Sequence, residues 1–396
     1  MPVQAALYAT LLYYSAVLPL RRLPSSISNF DRAARSPGVG RLLCRDDKQN
    51  VATRTDGCPR GSKGTSLKER IQFLDAIRGY AIVMVVATHA LAYTRVESSE
   101  VIQFWVQTVA VPPFFLVDGY LFLGALRKQS EFSYGNYLFK SARRLLIPWV
   151  VFTVLYGLLR ALFEYMGLLE TRIILGHGTS GILQAAYYSA ISPQMYFLPS
   201  LFVIRSLSCV TKGLATMHPL WIVAIWVTYT IAWANITRIF GDEDGLDPLF
   251  HAFWGLQFYL LGMVLYVYRE VLGKYAWVCA AGAISSLLLL RSAPCVPPLV
   301  VQYLYILSVY FIIIAGHAHV TLFTALGKFT MGIFLFHAPI VVKGASLIVP
   351  VIAQGTDLLQ YVLIVLLTLG ISLFLAKLCT VVPYGTLLLG EGPKLR

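Results

Sequence analysis

Long apolar stretches recur along this chain from residue 74 almost to its end, and they determine its architecture. Because backbone groups in lipid must hydrogen-bond within their own segment, each stretch is predicted to be a helix. The pattern predicts an all-α, polytopic integral membrane protein with about ten transmembrane helices around a polar cavity. The ten stretches of roughly membrane-spanning length are approximately residues 73–94, 101–125, 143–166, 194–211, 217–236, 249–268, 275–291, 298–316, 325–348 and 357–382.

The composition supports a membrane protein and excludes several other classes. Of the 396 residues, 57% are hydrophobic and only 13% are charged, whereas a soluble domain carries about 25% charged residues. That balance argues against a soluble enzyme, a nucleic-acid binder and a secreted disulfide scaffold. The six cysteines form no CxxC pair and have no zinc-ligand spacing with histidine, so neither a disulfide framework nor a metal site is expected.

The first part of the chain differs in kind from the rest. Residues 1–70 contain twelve Lys or Arg and five Asp or Glu, which gives them +7 of the total charge of +13. Residues 21–70 are rich in Arg, Ser, Gly and Asp and lack a hydrophobic period, which predicts a disordered basic tail; a start codon assigned too early is the alternative. We predict a transmembrane domain at 71–385 and a short cytoplasmic tail at 386–396.

The charges between the apolar stretches predict how the chain is oriented. Positive residues gather on one set of alternate loops, whereas the loop between the fifth and sixth stretches is acidic. By the positive-inside rule both termini are predicted to be cytoplasmic. The inner positive residues are Arg127, Lys128, Lys140, Arg143, Arg144, Lys212, Arg269 and Lys274, and the outer ones are Arg95, Arg172, Arg238 and Arg291.

Three ionisable residues interrupt the first apolar stretch, namely Asp75, Arg78 and His89. Charged groups within lipid cost roughly 2.5–3.5 kcal/mol on insertion scales, so each needs a partner or a polar cavity. Arg78 and His89 are eleven residues apart, which is three helical turns plus about 20°, so they share one face about 16 Å apart. A snorkelling arginine and a hydrogen-bonded histidine would be the purely structural interpretation.

Further polar residues occur in the later stretches. Asp118 follows the Pro112–Pro113 break at about the depth of Arg78, which predicts an intramembrane ion pair between the two side chains.

Arg160 and Glu164 are spaced for an intrahelical pair. His337 lies at mid-depth in the ninth stretch, where a histidine is more often a satisfied core residue than a functional one.

A basic cluster of Lys140, Arg143 and Arg144 lies at the inner end of the third stretch. One interpretation is a positive-inside anchor, and the other is a site for phosphate groups, whose geometry suits arginine forks. Arg205 in the fourth stretch is a lesser candidate for the same phosphate-binding task.

Five motifs, in order along residues 70 to about 385, resemble the signatures of the integral-membrane acyltransferase-three family. The first contains Leu-Asp-x-x-Arg-Gly-x-Ala followed by a hydrophobic run to a histidine. Two positions depart from the family pattern, because Asp118 replaces the usual serine and Tyr196 the usual tryptophan. The motifs are LDAIRGYAIVMVVATHA, VPPFFLVDGYLF, FKSARRLLIPWV, MYFLPSLFV and LGKFTMGIFLFHAPIV.

The resemblance implies transfer of an acyl group, usually acetyl, from cytoplasmic acyl-CoA to a hydroxyl of a cell-envelope glycan, an exopolysaccharide or a lipid-linked sugar. His89 is then the expected general base, since imidazole titrates near neutral pH, and Arg78 is expected to orient the donor. The expected phosphate-binding residues are Lys140, Arg143, Arg144 and Arg205. The expected supporting or cavity-lining residues are Asp75, Asp118, Tyr120 and His337.

The resemblance also implies acyl-CoA as co-substrate without a metal, and a bacterial plasma (inner) membrane location. Membrane lipid and the glycan acceptor are the expected partners, with no nucleic acid and no obligatory protein partner. Ten helices, a proline-broken helix and buried charges also fit a multipass transporter or flippase, although no inverted repeat is visible. A membrane receptor is a weaker alternative, since it would not need the Arg78–His89 face.

Overall fold

A computed structural model describes the chain from residue 63 to residue 390 with short gaps. The chain divides into two compact units, residues 1–66 and 67–396, and the apolar helices belong to the second. The predicted disordered tail lies almost wholly outside the described residues and stays a prediction. The described segments are residues 63–94, 99–128, 131–169, 172–176, 178–240, 247–291, 296–316, 320–353, 355–382 and 385–390.

Every regular element in the described part of the chain is helical, so the predicted all-α class is confirmed. The first helix begins at Lys63, eight residues before the boundary that the sequence suggested. The α-helices are α1 (Lys63–Leu91), α2 (Ser99–Thr108), α3 (Pro112–Leu126), α4 (Tyr134–Tyr165), α5 (Thr179–Tyr187), α6 (Phe197–Ser206), α7 (Ser208–Thr211), α8 (Pro219–Phe240), α9 (Pro248–Val267), α10 (Arg269–Lys274), α11 (Ala276–Arg291), α12 (Pro298–Ala315), α13 (Thr321–Gly327), α14 (Thr330–Phe336), α15 (Val342–Ile352), α16 (Asp357–Val381) and α17 (Gly385–Leu388).

Each of the ten predicted stretches forms a helix or a broken helix. Within the described residues, eight spans are long and apolar enough to cross a membrane. The fourth stretch is a bent pair, Pro193–Ser206 with Ser208–Ala215, and the seventh is the shorter apolar helix α11. The eight spans are Gln72–Leu91, Ile102–Leu126, Tyr134–Tyr165, Pro219–Thr237, Pro248–Val267, Pro298–Ala315, Thr330–Ile352 and Asp357–Val381.

Two pairs of helices approach each other closely through glycines. A Cβ on Gly119 of α3 would lie 1.9 Å from the carbonyl oxygen of Tyr259 in α9, and one on Gly262 would lie 2.0 Å from that of Leu116. Such backbone proximity is typical of membrane helices, which associate through small residues because lipid provides little hydrophobic drive. A close glycine contact also joins α1 to α13, where a Cβ on Gly79 would lie 1.8 Å from the Phe323 carbonyl oxygen.

The ninth stretch is broken in its middle, between α14 and α15. Residues His337–Val341 form a π-type turn in which Ala338 has non-helical backbone angles, φ −131° and ψ 152°. Pro339 has no N–H, so it cannot bond the carbonyl of Leu335 four residues earlier. The break therefore leaves carbonyl groups in the membrane interior that need other donors.

Candidate active site

One end of the helix assembly carries the first two charges that the sequence singled out. Arg78 donates from Nη1 to Oδ1 of Asp75 at 3.2 Å, one turn earlier on α1. Both side chains are partly buried, at 26% and 16% exposure. The ion pair offsets the burial of both charges, so Arg78 is held within its own helix. We call this region, containing Asp75, Arg78, Asp118 and Arg205, the arginine end.

The predicted ion pair between Asp118 and Arg78 is wrong. Asp118 instead accepts two hydrogen bonds from Arg205 of α6, one from Nε at 3.0 Å and one from Nη2. Both side chains of this pair are largely buried. Depth alone could not identify which neighbouring helix supplies the contact.

This pairing changes the interpretation of Arg205 as a phosphate-binding candidate. A bidentate arginine–carboxylate contact uses the guanidinium fork that would otherwise hold a phosphate. Tyr120, two residues after Asp118, packs edge-on against Phe73 at 5.7 Å and Tyr266 at 5.1 Å between ring centroids. Asp118, Arg205 and Tyr120 therefore hold helices together, which agrees with a supporting role for Asp118 but through a different partner.

The basic cluster lies at the start of α4. Lys140, Arg143 and Arg144 are all exposed. The carbonyl of Arg144 faces Gly390 after α17, where a Cβ would lie 2.2 Å from its oxygen. Gly390 also has φ +69°, a conformation that favours glycine. The cluster therefore lies on the surface, and Gly390, the last described residue, packs against it.

The second region, which we call the histidine end, joins His89 of α1 to His337 in the break between α14 and α15. The two ring centroids are 5.1 Å apart, and the planes are tilted by 60°. His337 is fully buried, whereas His89 is half-buried. Since α1 is continuous from Arg78 to His89, helix geometry places the arginine about 16 Å away along the axis.

The helix break fixes the tautomer of His337. Its Nδ1 lies 2.8 Å from the carbonyl oxygen of Phe334 and 3.2 Å from that of Ile333. Carbonyl oxygens only accept hydrogen bonds, so Nδ1 is the protonated nitrogen and a neutral ring has its lone pair at Nε2. Nε2 is buried and has no hydrogen-bond partner in the described structure. The ring therefore offers an unused acceptor next to His89.

Two side chains that sequence reasoning missed complete this region. The Tyr156 hydroxyl of α4 donates to the carbonyl of Leu335, which Pro339 leaves without a helical donor. Gln194 donates from Nε2 to the carbonyl of Ala338, while its Oε1 is buried without a partner. Pro339 indicates a broken helix from the sequence alone. No sequence pattern identifies Tyr156 or Gln194 as the donors to the carbonyl groups at the break.

A cleft of about 590 Å³ opens beside the histidine end. Its walls come from α4, the segment after α4 and the α14–α15 region. None of Arg78, His89, Arg143 or Arg144 is among its lining residues. The lining residues are Tyr93, Tyr156, Leu159, Arg160, Phe163, Leu168, Leu169, Ile191, Pro339, Ile340, Lys343, Gly344 and Leu347.

The wall of the cleft that follows α4 is fixed by Glu164. The predicted ion pair with Arg160 is present, with Nε donating to Oε1 at 2.9 Å. The same carboxylate also accepts backbone N–H bonds from Ile173, Ile174 and Leu175 at 2.8–3.2 Å. A fully buried carboxylate with this many donors is a structural anchor, so it holds the segment after α4 in place.

Across the described residues, no group of three or more His, Cys, Asp or Glu side chains is placed to hold a metal ion. The described cysteines, Cys209, Cys279 and Cys379, are free.

Comparison with known proteins adds one finding. Residues 71–377 match the model of a family described as an acyltransferase domain. No curated protein and no solved structure matches the chain. The matched range covers more than three quarters of the sequence and includes both the arginine end and the histidine end.

Proposed function

Because the chain belongs to the integral-membrane acyltransferase-three family, we propose that it transfers an acyl group, most simply acetyl, from acyl-CoA to a sugar hydroxyl. The protein is a membrane-embedded enzyme, an O-acyltransferase. The proposal adds the donor, the acceptor and the residues that act on them. The acceptor class we propose is a cell-envelope or exopolysaccharide glycan, with no metal required.

His89 is proposed as the general base. Its imidazole would accept the proton of the acceptor hydroxyl while the hydroxyl oxygen attacks the thioester carbonyl carbon. A carbon–oxygen bond then forms, the carbon–sulfur bond breaks, and the departing coenzyme A thiolate takes the proton from the imidazolium. The step is balanced without an acyl-enzyme intermediate, and general bases of this kind typically contribute 10²–10⁴-fold in rate.

The observation that carries this proposal is the contact between His89 and His337. Since Nε2 of His337 is an unpaired acceptor beside the His89 ring, it is suited to accept an N–H from His89. That bond would leave the other His89 nitrogen unprotonated and directed to the acceptor. His337 would thus be a positioning residue, because it acts through His89 rather than on the substrate.

The donor is proposed to approach from the arginine end. The exposed Lys140, Arg143 and Arg144 suit the phosphates of coenzyme A. The extended pantetheine arm would then carry the thioester toward His89. If both termini are cytoplasmic, as the loop charges predict, the cluster faces the cytoplasmic acyl-CoA pool of a bacterial inner membrane.

A transporter or flippase is the other class that the sequence left open. The family match favours the enzyme, and the unpaired acceptor of His337 suits the orientation of a general base. No observation on the described residues favours transport specifically.

The decisive experiment measures acyl transfer directly. Envelope and secreted glycans from host cells with and without the protein would be compared by mass spectrometry, together with cells carrying His89→Ala. We expect one acyl mass to disappear from a glycan in both deficient strains. Glycans identical in all three strains would contradict the proposed sugar acceptor.

A second assay tests the donor independently of the acceptor. The purified protein in lipid vesicles would be mixed with acetyl-CoA, and release of free thiol would be followed with and without membrane extract. Thiol release that needs the extract and is lost in His89→Ala supports the reaction. Release that is unchanged in the variant would remove His89 from it.

A further inference from the structure

Lys343 is an ionisable residue in an unexpected place. It is exposed within the apolar span Thr330–Ile352 and lines the cleft beside the histidine end. Among the ion pairs of the described residues, none includes Lys343. A lysine in a membrane span is expensive and generally marks a ligand pathway or a partner. This residue therefore requires an anionic group that the rest of the described chain does not provide.

The remainder of the cleft is predominantly apolar. Leu159, Phe163, Leu168, Ile340 and Leu347 contribute hydrocarbon surface. The other basic lining residue, Arg160, already binds Glu164, so Lys343 supplies the cation that a ligand would meet. A volume of about 590 Å³ is within the range of specific small-molecule sites. A ligand that matches this lining is an amphiphile, with a hydrocarbon chain for the apolar walls and an anionic head for Lys343.

The cleft borders the proposed reaction centre. Pro339 and Ile340 line it and lie two and three residues after His337, whose ring contacts His89. Tyr93 lines it from one helical turn beyond His89. Tyr156 both lines the cleft and bonds the broken helix at Leu335. A molecule bound there is adjacent to the proposed base, as the acceptor must be and a bystander lipid need not be.

We propose that this cleft binds the acyl acceptor and that the acceptor is an anionic amphiphile, a phosphate-bearing lipid whose headgroup carries the hydroxyl. Lys343 binds the phosphate, and the apolar walls bind the chain. The proposal rests on the proposed acyl transfer, which it deepens by naming the physical form of the acceptor and the residue that selects it.

Binding can be measured with dodecyl phosphate as the probe and the full-length protein in neutral detergent. Native mass spectrometry would follow its titration against wild type, Lys343→Leu, Lys343→Arg and Lys377→Leu. Lys377 is a matched control, since it is also an exposed lysine in an apolar span, Asp357–Val381, but lies over the Phe329 ring outside the cleft lining.

We expect Lys343→Leu to weaken dodecyl phosphate binding at least tenfold, with Lys343→Arg within about threefold of wild type and Lys377→Leu unchanged. Dodecanol and inorganic phosphate should each bind much more weakly than dodecyl phosphate. Dodecanol lacks the anionic phosphate, and inorganic phosphate lacks the hydrocarbon chain. Equal binding by Lys343→Leu and wild type would overturn the proposal, as would inorganic phosphate binding as tightly as dodecyl phosphate.

A transfer assay separates an acceptor from a structural phospholipid. Membrane vesicles supplied with labelled acetyl-CoA would be treated with dodecyl phosphate or with phosphatidylglycerol. Dodecyl phosphate should inhibit labelling of the membrane acceptor by wild type and Lys377→Leu, and phosphatidylglycerol should not. Lys343-dependent binding of phosphatidylglycerol with no inhibition by dodecyl phosphate would assign the cleft to a bystander lipid and overturn the proposal.

Failure of this proposal differs from failure of the proposed function. If labelling proceeds and requires His89, but dodecyl phosphate binds equally well to wild type and Lys343→Leu, only the cleft assignment is wrong. If no variant, wild type included, labels any acceptor while dodecyl phosphate binding depends on Lys343, the acyl-transfer proposal is the one that fails.

Discussion

The arginine end and the histidine end differ in how their ionisable side chains are paired. At the arginine end, Asp75 pairs with Arg78 and Asp118 with Arg205, so the two carboxylates both have partners. At the histidine end, Nε2 of His337 has no partner among the described residues. Buried polar groups are normally satisfied, so the contrast separates a region that stabilises the fold from one that keeps an acceptor for a ligand or a reaction.

Packing shows the same difference. Near Asp118 the backbones of α3 and α9 approach closely at Gly119 and Gly262, whereas His337 lies in a broken helix whose carbonyls are bonded by side chains. Substitutions at the arginine end should therefore reduce stability. Substitutions at the histidine end should reduce rate.

The largest effect is expected for His89→Ala. Loss of the proposed base should lower the rate of acyl transfer by about 10²–10⁴-fold, while the unfolding temperature stays near that of wild type. His89→Gln should fail as well, because an amide cannot accept a proton at neutral pH. Labelled acetyl transfer and thermal unfolding in detergent provide the two measurements, and full activity in His89→Ala would contradict the assignment.

Asp118→Ala tests the arginine end. It leaves the buried Arg205 cation unpaired, so we expect the free energy of unfolding to fall by about 3–5 kcal/mol. The double variant Asp118→Leu with Arg205→Met should recover much of that loss, because no lone charge remains. Thermal or denaturant unfolding in detergent would measure both. A stable Asp118→Ala protein that has lost only activity would reverse the proposed division between the two ends.

Gly119→Ala tests the close helix contact. The added methyl would overlap the Tyr259 carbonyl and force α3 and α9 apart, at a cost of about 1–3 kcal/mol in unfolding free energy. Gly370→Ala is the matched control, since a Cβ at that helical glycine meets nothing within 4 Å. The comparison would be made by thermal unfolding, and equal stability of the two variants would argue against the glycine contact.

Substitutions at His337 test whether this side chain orients His89 or only packs against it. In His337→Asn the amide can still donate to the Phe334 carbonyl, but nothing replaces the acceptor at Nε2. Loss of one orienting hydrogen bond is worth about 1–2 kcal/mol, which lowers kcat about 5- to 30-fold with KM unchanged. His337→Gln, which retains an acceptor near Nε2, should keep more activity. A changed KM with an unchanged kcat would assign His337 to substrate binding instead.

The smallest effect is expected from deleting residues 1–62. The family match begins at residue 71 and α1 begins at Lys63, so both ends of the assembly remain in the shortened protein. Acyl transfer per inserted molecule should stay within about twofold of wild type, a difference of roughly 0.4 kcal/mol. Loss of transfer in a shortened protein that still inserts into the membrane would show that the tail contributes to the reaction.

Much of the fold was predictable from the sequence because the bilayer imposes a local rule. Any long apolar stretch must satisfy its own backbone, so length and hydropathy suffice to find helices. That rule located the eight spans found in the described residues but not the short helices α5 and α10, and the Pro112–Pro113 pair marked the break before α3. The alignment of Arg78 with His89 on α1 is also local, because it depends only on helix periodicity.

Which helices become neighbours is not a local property, and there the sequence was insufficient. Asp118 had two arginines at suitable depth, and only the packing of α3 and α6 chose Arg205 over Arg78. His337 and His89 are 248 residues apart in the chain, and their contact depends on where α1 meets the α14–α15 break. The proposed role of Lys343 in binding the acceptor depends on the cleft that it lines. The sequence by itself determined the helices and the chemistry each carries, whereas the tertiary structure decided which of those chemical groups meet.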